Sequence, residues 1–335
     1  MVSPAPLRVV FFGTPEFAVP TLEALLGSSH RVVGVVTRAD RPRGRGQRTT
    51  DAPVKARALS AALPVLQPER MNDLHFQAEL AGLHPDVGVV AAYGKILTEP
   101  ILATPRLGMI NVHASLLPRY RGAAPVHRAV VNGDRETGVT IMRVVKALDA
   151  GPLIATARRS IGLEDTSDEV EHDLARIGAP LLVSVLDALA IGPVAEVSQD
   201  EALATYAHRL MREDGAVDWT RSADALHNQI RGLHPWPHAF TSHRGRRVIL
   251  LRSRVVTAPD GAVDRELPIA IGERPPAGTI IEAHGDRLHV LTGAGILGIT
   301  QLQGEGRRPM TAREFLAGAP FAVGDVLTNA SPLEA

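Results

Sequence analysis

Residues 7–37, LRVVFFGTPEFAVPTLEALLGSSHRVVGVVT, decide the fold. The apolar run from Leu7 to Gly13 stops at a glycine and reads as a buried parallel strand. After it, Phe17, Leu22, Leu25 and Leu26 fall at helical spacing. Arg31–Thr37 is a second β-branched run. Strand, helix and strand within about 30 residues make a right-handed βαβ unit. Working outward, PVLQP, PDVGVVAAYG and GMINVH each carry a short strand. TGVTIMRVV and GPLIATARRSI read as paired strands, and EVEHDLARIGAPLLVSVLDAL as a helix. Strands alternating with helices predict an α/β domain with a mainly parallel sheet.

The texture changes near residues 193–220. DWTRSADALHNQIRGL is a short amphipathic helix, followed by PWP. RRVILLRSRVV and GTIIEAHGDRLHVLTGAGILGITQLQ are short strands punctuated by glycine, as in a small β-barrel of the OB type. The expected division is residues 1–205 as the α/β domain and 206–335 as the barrel. A chain of 335 residues has room for two such domains at about 150 residues each.

Lys+Arg and Asp+Glu both number 36, hydrophobic residues make up 45% and charged residues 21%. That balance argues against global disorder and against nucleic-acid binding by bulk charge. Cys is absent, which removes disulfides, thiolate metal sites and Cys nucleophiles. No unbroken apolar run approaches the ~18 residues that span a bilayer. The start, MVSPAPLRVVFFG, has no charged region before its apolar one and does not read as a signal peptide. A soluble cytoplasmic protein is the expectation.

Of the basic residues only Lys55, Lys95 and Lys146 are lysine, a skew that codon bias in a GC-rich genome explains. Position is more informative than number. Between Thr37 and Arg57 stand Arg38, Arg41, Arg43, Arg45, Arg48, Lys55 and Arg57 against Asp40 and Asp51 alone. RGRGQRTT has no large apolar residue to bury, so it reads as a mobile surface loop. A second cluster is Arg244, Arg246, Arg247, Arg252 and Arg254, with no acidic residue between.

GTPEF after the first strand is a βα turn, but Pro15 removes a donor that a dinucleotide loop would use. In GMINVH, Asn111 and His113 are two apart on a strand and point to one face at its C-terminal end, where ligands of open α/β sheets bind. An amide beside an imidazole can stabilise an oxyanion and move protons. A single His at a strand end is more often structural. Asp149 in ALDAG could orient an imidazole, or be ordinary turn chemistry before Gly151 and its neighbours. SLLP, residues 115–118, offers a hydroxyl and a rigid apolar turn fit for a flat ring, or a plain loop exit. HExxH, GxxxxGK[ST] and GxSxG patterns are absent from the sequence.

Several motifs coincide in one order: VVFFGTPEFAVPTLEALL, DRPRGRG, VAAYGKIL, GMINVHASLLPRYRGAAPVHRAVVNGD, ETGVTIMRV, LDAGPLI, then VDWTRSADALHNQIRGLHPWP, AGTII and RPMTAREFL. Together the sequence resembles the methionyl-tRNA formyltransferases over nearly its whole length. The resemblance implies a Rossmann-like catalytic domain, an OB-like tRNA-binding domain, 10-formyltetrahydrofolate as co-substrate and initiator Met-tRNA as partner. It implies Asn111, His113 and Asp149 as catalytic residues and Ser115, Leu116, Leu117 and Pro118 as the folate-binding segment. It implies Arg41, Arg43, Arg45 and Arg48, with Arg246 and Arg247 of the second domain, as tRNA-binding residues. A cytoplasmic monomer without metal or membrane partner is expected.

The chain departs from the family pattern around Asp149. RVVKALDAGP stands where the family has Q-M-D-V-G-L-D-T-G-D, so Val145, Ala147 and Pro152 replace Asp, Gly and Asp. After GRG, Gln47 and Arg48 replace a Lys pair. Rival readings are a sugar-nucleotide or glycinamide-ribonucleotide formyltransferase, a nicotinamide-dependent oxidoreductase, and a tRNA-binding protein without catalysis.

Overall fold

The computed structural model describes residues 5–40, 42–43, 48–256, 275–318 and 321–329. The chain forms two compact units that interleave in sequence. One holds Met1–Pro125, Glu136–Ser160 and Glu171–His208, and the other Val126–Arg135, Ile161–Val170 and Arg209–Ala335.

The first unit opens with the expected βαβ: β1 (Arg8–Gly13), α1 (Val19–Leu26) and β2 (Arg31–Val36). Val9, Val10, Phe11 and Phe12 are all fully buried, as a strand covered on both faces requires. Pro20 has no N–H to donate, so α1 can begin no more than a turn before it. A 3₁₀ turn, Glu16–Ala18, fills the gap after β1, and Phe17, Leu22 and Leu25 are buried. β3 (Pro42–Arg43) and β4 (Arg48–Thr49) pair antiparallel. There follow α2 (Pro53–Ser60), β5 (Val65–Leu66), α3 (Leu74–Gly82), β6 (Val87–Ala91), α4 (Glu99–Ala103), β7 (Met109–His113) and β8 (Arg121–Gly122).

α5 (Pro125–Val131) leads to β9 (Glu136–Arg143), β10 (Leu153–Ser160), α6 (Ser167–Ile191) and β11 (Tyr206–Ala207). The seven-stranded sheet runs β10-β9-β7-β6-β1-β2-β5. Its pairings from β5 through β7 are parallel, and β9 and β10 add an antiparallel edge. This is the Rossmann-like, mainly parallel sheet that the alternation predicts.

α6 qualifies the reading that no apolar run approaches the ~18 residues of a bilayer span. No apolar run is unbroken, yet this 25-residue helix passes on length and composition. Within the first unit it buries Leu174, Leu182, Val185 and Leu186. At Gly178 an added Cβ would lie 3.0 Å from both Val112 on β7 and Val139 on β9, so the helix packs closely on the sheet there and a side chain would need both valines to give way. The start of α6 is a capping box. Thr166 N–H donates to Glu169 Oε2 at 2.7 Å, and Glu169 N–H returns to Thr166 Oγ1 at 3.4 Å.

In the second unit α7 (Ala223–Gly232) is capped by Ser222, whose hydroxyl accepts from Ala225 N–H. Arg231 on α7 is buried and donates to the carbonyls of Gly162 and Asp165, while His227 Nε2 meets Leu163 O at 2.8 Å. These bonds fasten residues 161–170 within this unit. β12 (Ala239–His243), β13 (Arg246–Val255), β14 (Ile280–His284), β15 (Arg287–Leu291) and β16 (Ile296–Gly304) form an antiparallel sheet in the order β12-β13-β16-β15-β14. β17 (Met310–Thr311) pairs with β16 and leads into α8 (Ala312–Gly318). Residues 326 and 328 bridge Thr279 on one edge and Ser242 on the other. That link joins the two edges and is compatible with the expected OB-like barrel. Trp219, Leu226, Ile230, Leu250, Val290 and Leu302 lie in its core.

His127, on the α5 part of this unit, is pushed down to about 4 by burial, with Arg128 adding to it. Its folded value lies below the unfolded 6.5, so the folded state binds fewer protons between those values. The neutral ring therefore contributes fully above pH 6.5, and that stability drains away as pH falls toward 4, about 3 kcal/mol in all. We expect His127→Gln to flatten the fall in Tm between pH 7 and pH 4.5. An unchanged slope in thermal melts would remove His127 as the cause.

Candidate active site

β7 lies between parallel β6 and antiparallel β9, with Asn111 opposite Val90 and Met142, and His113 opposite Thr140. Alternation sends Val112 toward the α6 side and Asn111 and His113 to the other face. His113 is 6% exposed and Asn111 half-buried.

The imidazole is held by a hydrogen bond at one nitrogen and faces a carboxylate with the other. Nε2 lies 2.9 Å from the Tyr120 carbonyl, which can only accept, so Nε2 carries a proton. Nδ1 is then the nitrogen left to gain or lose one, and it faces Asp149 Oδ2 at 3.8 Å. That is ion-pair range but beyond a direct hydrogen bond. Orientation of the ring thus comes from a backbone carbonyl, while the carboxylate supplies charge.

Asp149 sits in left-handed backbone at φ +46°, a conformation that Asp tolerates better than most residues. Its Oδ2 accepts from Gly122 N–H at 2.8 Å. Gly122 has φ +115°, and an added Cβ would fall 2.8 Å from Ala207 O, so only glycine brings this N–H so near. Residues 120–122 therefore hold both partners, one by a carbonyl and one by an amide.

Segment 118–123 is itself stitched to residues 205–207. β8 pairs parallel with β11, Arg121 N–H donates to Thr205 O, and Tyr120 N–H donates to Thr205 Oγ1. The Arg121 side chain is 2% exposed and forks onto Glu201, with Nη1 on Oε2 at 2.9 Å and Nη2 on Oε1 at 2.7 Å. This bond raises the Arg121 pKa and lowers that of Glu201. Sequence reading missed Tyr120, Arg121, Gly122 and the 199–207 segment. The glycine of RYRGAAP was the one visible hint.

In the SLLP segment, Ser115 is fully buried and its hydroxyl donates to Arg119 O at 2.7 Å. Its carbonyl accepts from Thr140 Oγ1, and Thr140 Oγ1 in turn accepts from Leu117 N–H. The hydroxyl is thus engaged within the loop. Leu117 is buried, Leu116 and Pro118 are half-buried, and the Leu117–Pro118 peptide is cis. On the Asp149 loop, Val145 is 40% and Leu148 58% exposed.

Of the arginines expected to meet RNA, Arg41 and Arg45 lie outside the described residues, and only the backbone of Arg43 and Arg48 is described, in β3 and β4. The acids flanking them are both taken by one side chain. Lys55 Nζ pairs with Asp40 and, at 2.8 Å, with Asp51. The hydrogen bond to Lys55 lowers the Asp40 pKa. In the second unit, Arg246 is exposed and Arg247 lies 4.0 Å from the Phe240 ring centroid. Its neighbours are less available than the sequence suggests. Arg244 pairs with Asp325 and Arg252 with Glu169, acids that stand far away in the chain.

Residues 7–186 match the formyl transferase family and residues 209–320 match the formyl transferase C-terminal domain. A methionyl-tRNA formyltransferase of Moorella thermoacetica is 44% identical over 321 residues, spanning 96% of this chain and 99% of that one. The chain belongs to the methionyl-tRNA formyltransferase family. A methionyl-tRNA formyltransferase of Pseudomonas syringae pv. tomato is 43% identical over 326 residues, covering 96% of this chain and 98% of its own.

Two solved structures share the fold with this member of the methionyl-tRNA formyltransferase family at low identity. WlaRD, a sugar 3N-formyl transferase solved with dTDP and 5-N-formyl-THF, is 16% identical with a TM-score of 0.63, over 90% of this chain and 99% of its own. HypX from Aquifex aeolicus, in complex with tetrahydrofolic acid, is 15% identical with a TM-score of 0.62. The alignment covers 97% of this chain, which spans about half of HypX, 51% of its length.

Proposed function

We propose that this chain transfers the formyl group of 10-formyltetrahydrofolate to the α-amino group of methionine on initiator Met-tRNA. The observation that carries the chemistry is the His113 Nδ1 facing Asp149 Oδ2 at 3.8 Å, beside Asn111 on the same strand face. The free amine attacks the formyl carbon and a tetrahedral oxyanion forms. The Asn111 amide and the protonated Nδ1 of His113 stabilise that charge. Because Nδ1 is not consumed by a direct bond to Asp149, its proton stays available to the reacting oxygen. Asp149, facing the ring, helps carry the amine proton to N10 as the C–N10 bond breaks. No covalent enzyme intermediate is needed. The apolar turn Leu116–Pro118 lines the slot for the pterin ring, with Ser115 bracing the turn.

The arginines of residues 41–48 receive the RNA in this reading, together with Arg246 and Arg247. Lys55 engages both Asp40 and Asp51 and offsets one of their two charges, so the arginines between them outweigh the acids that remain. An Arg45→Ala enzyme is expected to lose use of Met-tRNA while binding folate normally, and wild-type RNA affinity is expected to fall steeply as salt rises. Affinity that ignores ionic strength in a filter-binding titration would argue against a phosphate clamp. The reading carries with it a cytoplasmic, monomeric enzyme with no membrane step.

The deciding experiment is formyl transfer from 10-formyltetrahydrofolate to charged initiator tRNA, with elongator Met-tRNA as control. Transfer to the initiator alone is the expected result. Transfer to a sugar nucleotide or glycinamide ribonucleotide instead would overturn the choice of acceptor.

A further inference from the structure

We propose that Gln199 is a positioning residue for the His113–Asp149 pair. Its amide nitrogen donates to two carbonyls of the catalytic loop, Asp149 O and Gly151 O, each at 2.8 Å. Its amide oxygen accepts from Arg121, from Nε at 3.1 Å and Nη2 at 2.9 Å. The opposite rotamer of the amide would set oxygen against two carbonyls and NH₂ against a guanidinium, so the network itself fixes which end is which. Gln199 lies between the two family-matched spans, which end at 186 and resume at 209.

The consequence is geometric. Arg121 stands between Tyr120, whose carbonyl holds the His113 ring, and Gly122, whose N–H holds the Asp149 carboxylate. Gln199 bonds the Arg121 side chain with one end and the Asp149 main chain with the other. One amide thus couples the segment that orients the imidazole to the loop that carries the carboxylate. Asp149 is also in left-handed backbone, which persists only where neighbours hold it. Two hydrogen bonds from one side chain to the carbonyls at 149 and 151 do that. Without them the loop is free to relax, the distance from Oδ2 to Nδ1 is no longer set, and a misplacement of about 1 Å costs on the order of a hundredfold in rate.

This inference rests on the proposed roles of His113 and Asp149, and the test separates the two. Gln199→Leu removes both ends of the link. Gln199→Glu keeps an acceptor for Arg121 but has no donor for the loop carbonyls. Steady-state formyl transfer is measured with 10-formyltetrahydrofolate and initiator Met-tRNA, at a temperature where circular dichroism shows each variant folded. His113→Ala is run alongside. Both Gln199 variants are expected to lose at least about tenfold in kcat, with KM for each substrate within about threefold of wild type. If Gln199 serves only to tie down Arg121, Gln199→Glu keeps wild-type kcat, and that outcome overturns the proposal. Wild-type kcat in both variants overturns it equally, as does a loss confined to KM. If His113→Ala itself keeps wild-type transfer, the reading of the catalytic pair fails instead.

Discussion

Replacing His113 by alanine is expected to lower formyl transfer to initiator Met-tRNA at least about a hundredfold. The substitution removes the proton-exchanging Nδ1 and one of two groups aimed at the oxyanion, and a single donor of that kind contributes about 2.7–4 kcal/mol to the transition state. The fold should survive. The ring makes one backbone hydrogen bond, to Tyr120 O, and leaving that buried carbonyl unpaired costs about 1–3 kcal/mol. His113→Gln offers an amide donor in place of Nε2–H and should lose activity comparably, which separates chemistry from support. Single-turnover rates with saturating folate and charged tRNA are the measurement, and a His113→Ala enzyme of near-normal rate removes the imidazole from the mechanism.

Asp149→Asn should cost a further large factor, on the order of a hundred- to a thousandfold in kcat, with melting temperature little changed. The amide oxygen can still accept from Gly122 N–H, and the Gln199 bonds to the loop carbonyls are untouched, so the loop keeps its anchors. What disappears is the negative charge facing the His113 ring and the carboxylate that helps carry the amine proton. Binding of 10-formyltetrahydrofolate is expected to stay within a few-fold of wild type. A kcat within fivefold of wild type would mean that the 3.8 Å approach of the two side chains is incidental.

The sheet was legible because its signal is local. Leu7–Gly13 and Arg31–Thr37 are apolar on both faces, and the residues between them have helical spacing, so β1, α1 and β2 follow from a window of about thirty residues. Asn111 and His113 share a strand face for the same reason: the period is two. Asp149 stood out through the family resemblance, since nothing in ALDAG says that it approaches residue 113. The rest of the site is built from contacts that sequence pattern does not encode. The Tyr120 carbonyl and Gly122 amide are main-chain groups, present at every residue. Gln199 and Glu201 reach Arg121 across 78 and 80 positions, from a stretch whose composition suggests only a linker. The arginine cluster at 244–254 erred in the same way. Its counter-charges, Asp325 and Glu169, come from elsewhere in the chain, so a local charge count overstates what Arg244 and Arg252 can offer. α6 shows the converse: polar residues interrupt its apolar runs, yet averaged over a helix-length window it is apolar enough to cross a membrane.

The double grip of Lys55 on Asp40 and Asp51 has an entropic consequence. It ties the chain into a small ring whose neck is closed by electrostatics before any polyanion arrives. Bringing two ends of a segment together costs free energy that grows only slowly with its length, and here folding has already met that cost. A phosphate backbone that arrives there finds the two ends of the segment already held together by Lys55.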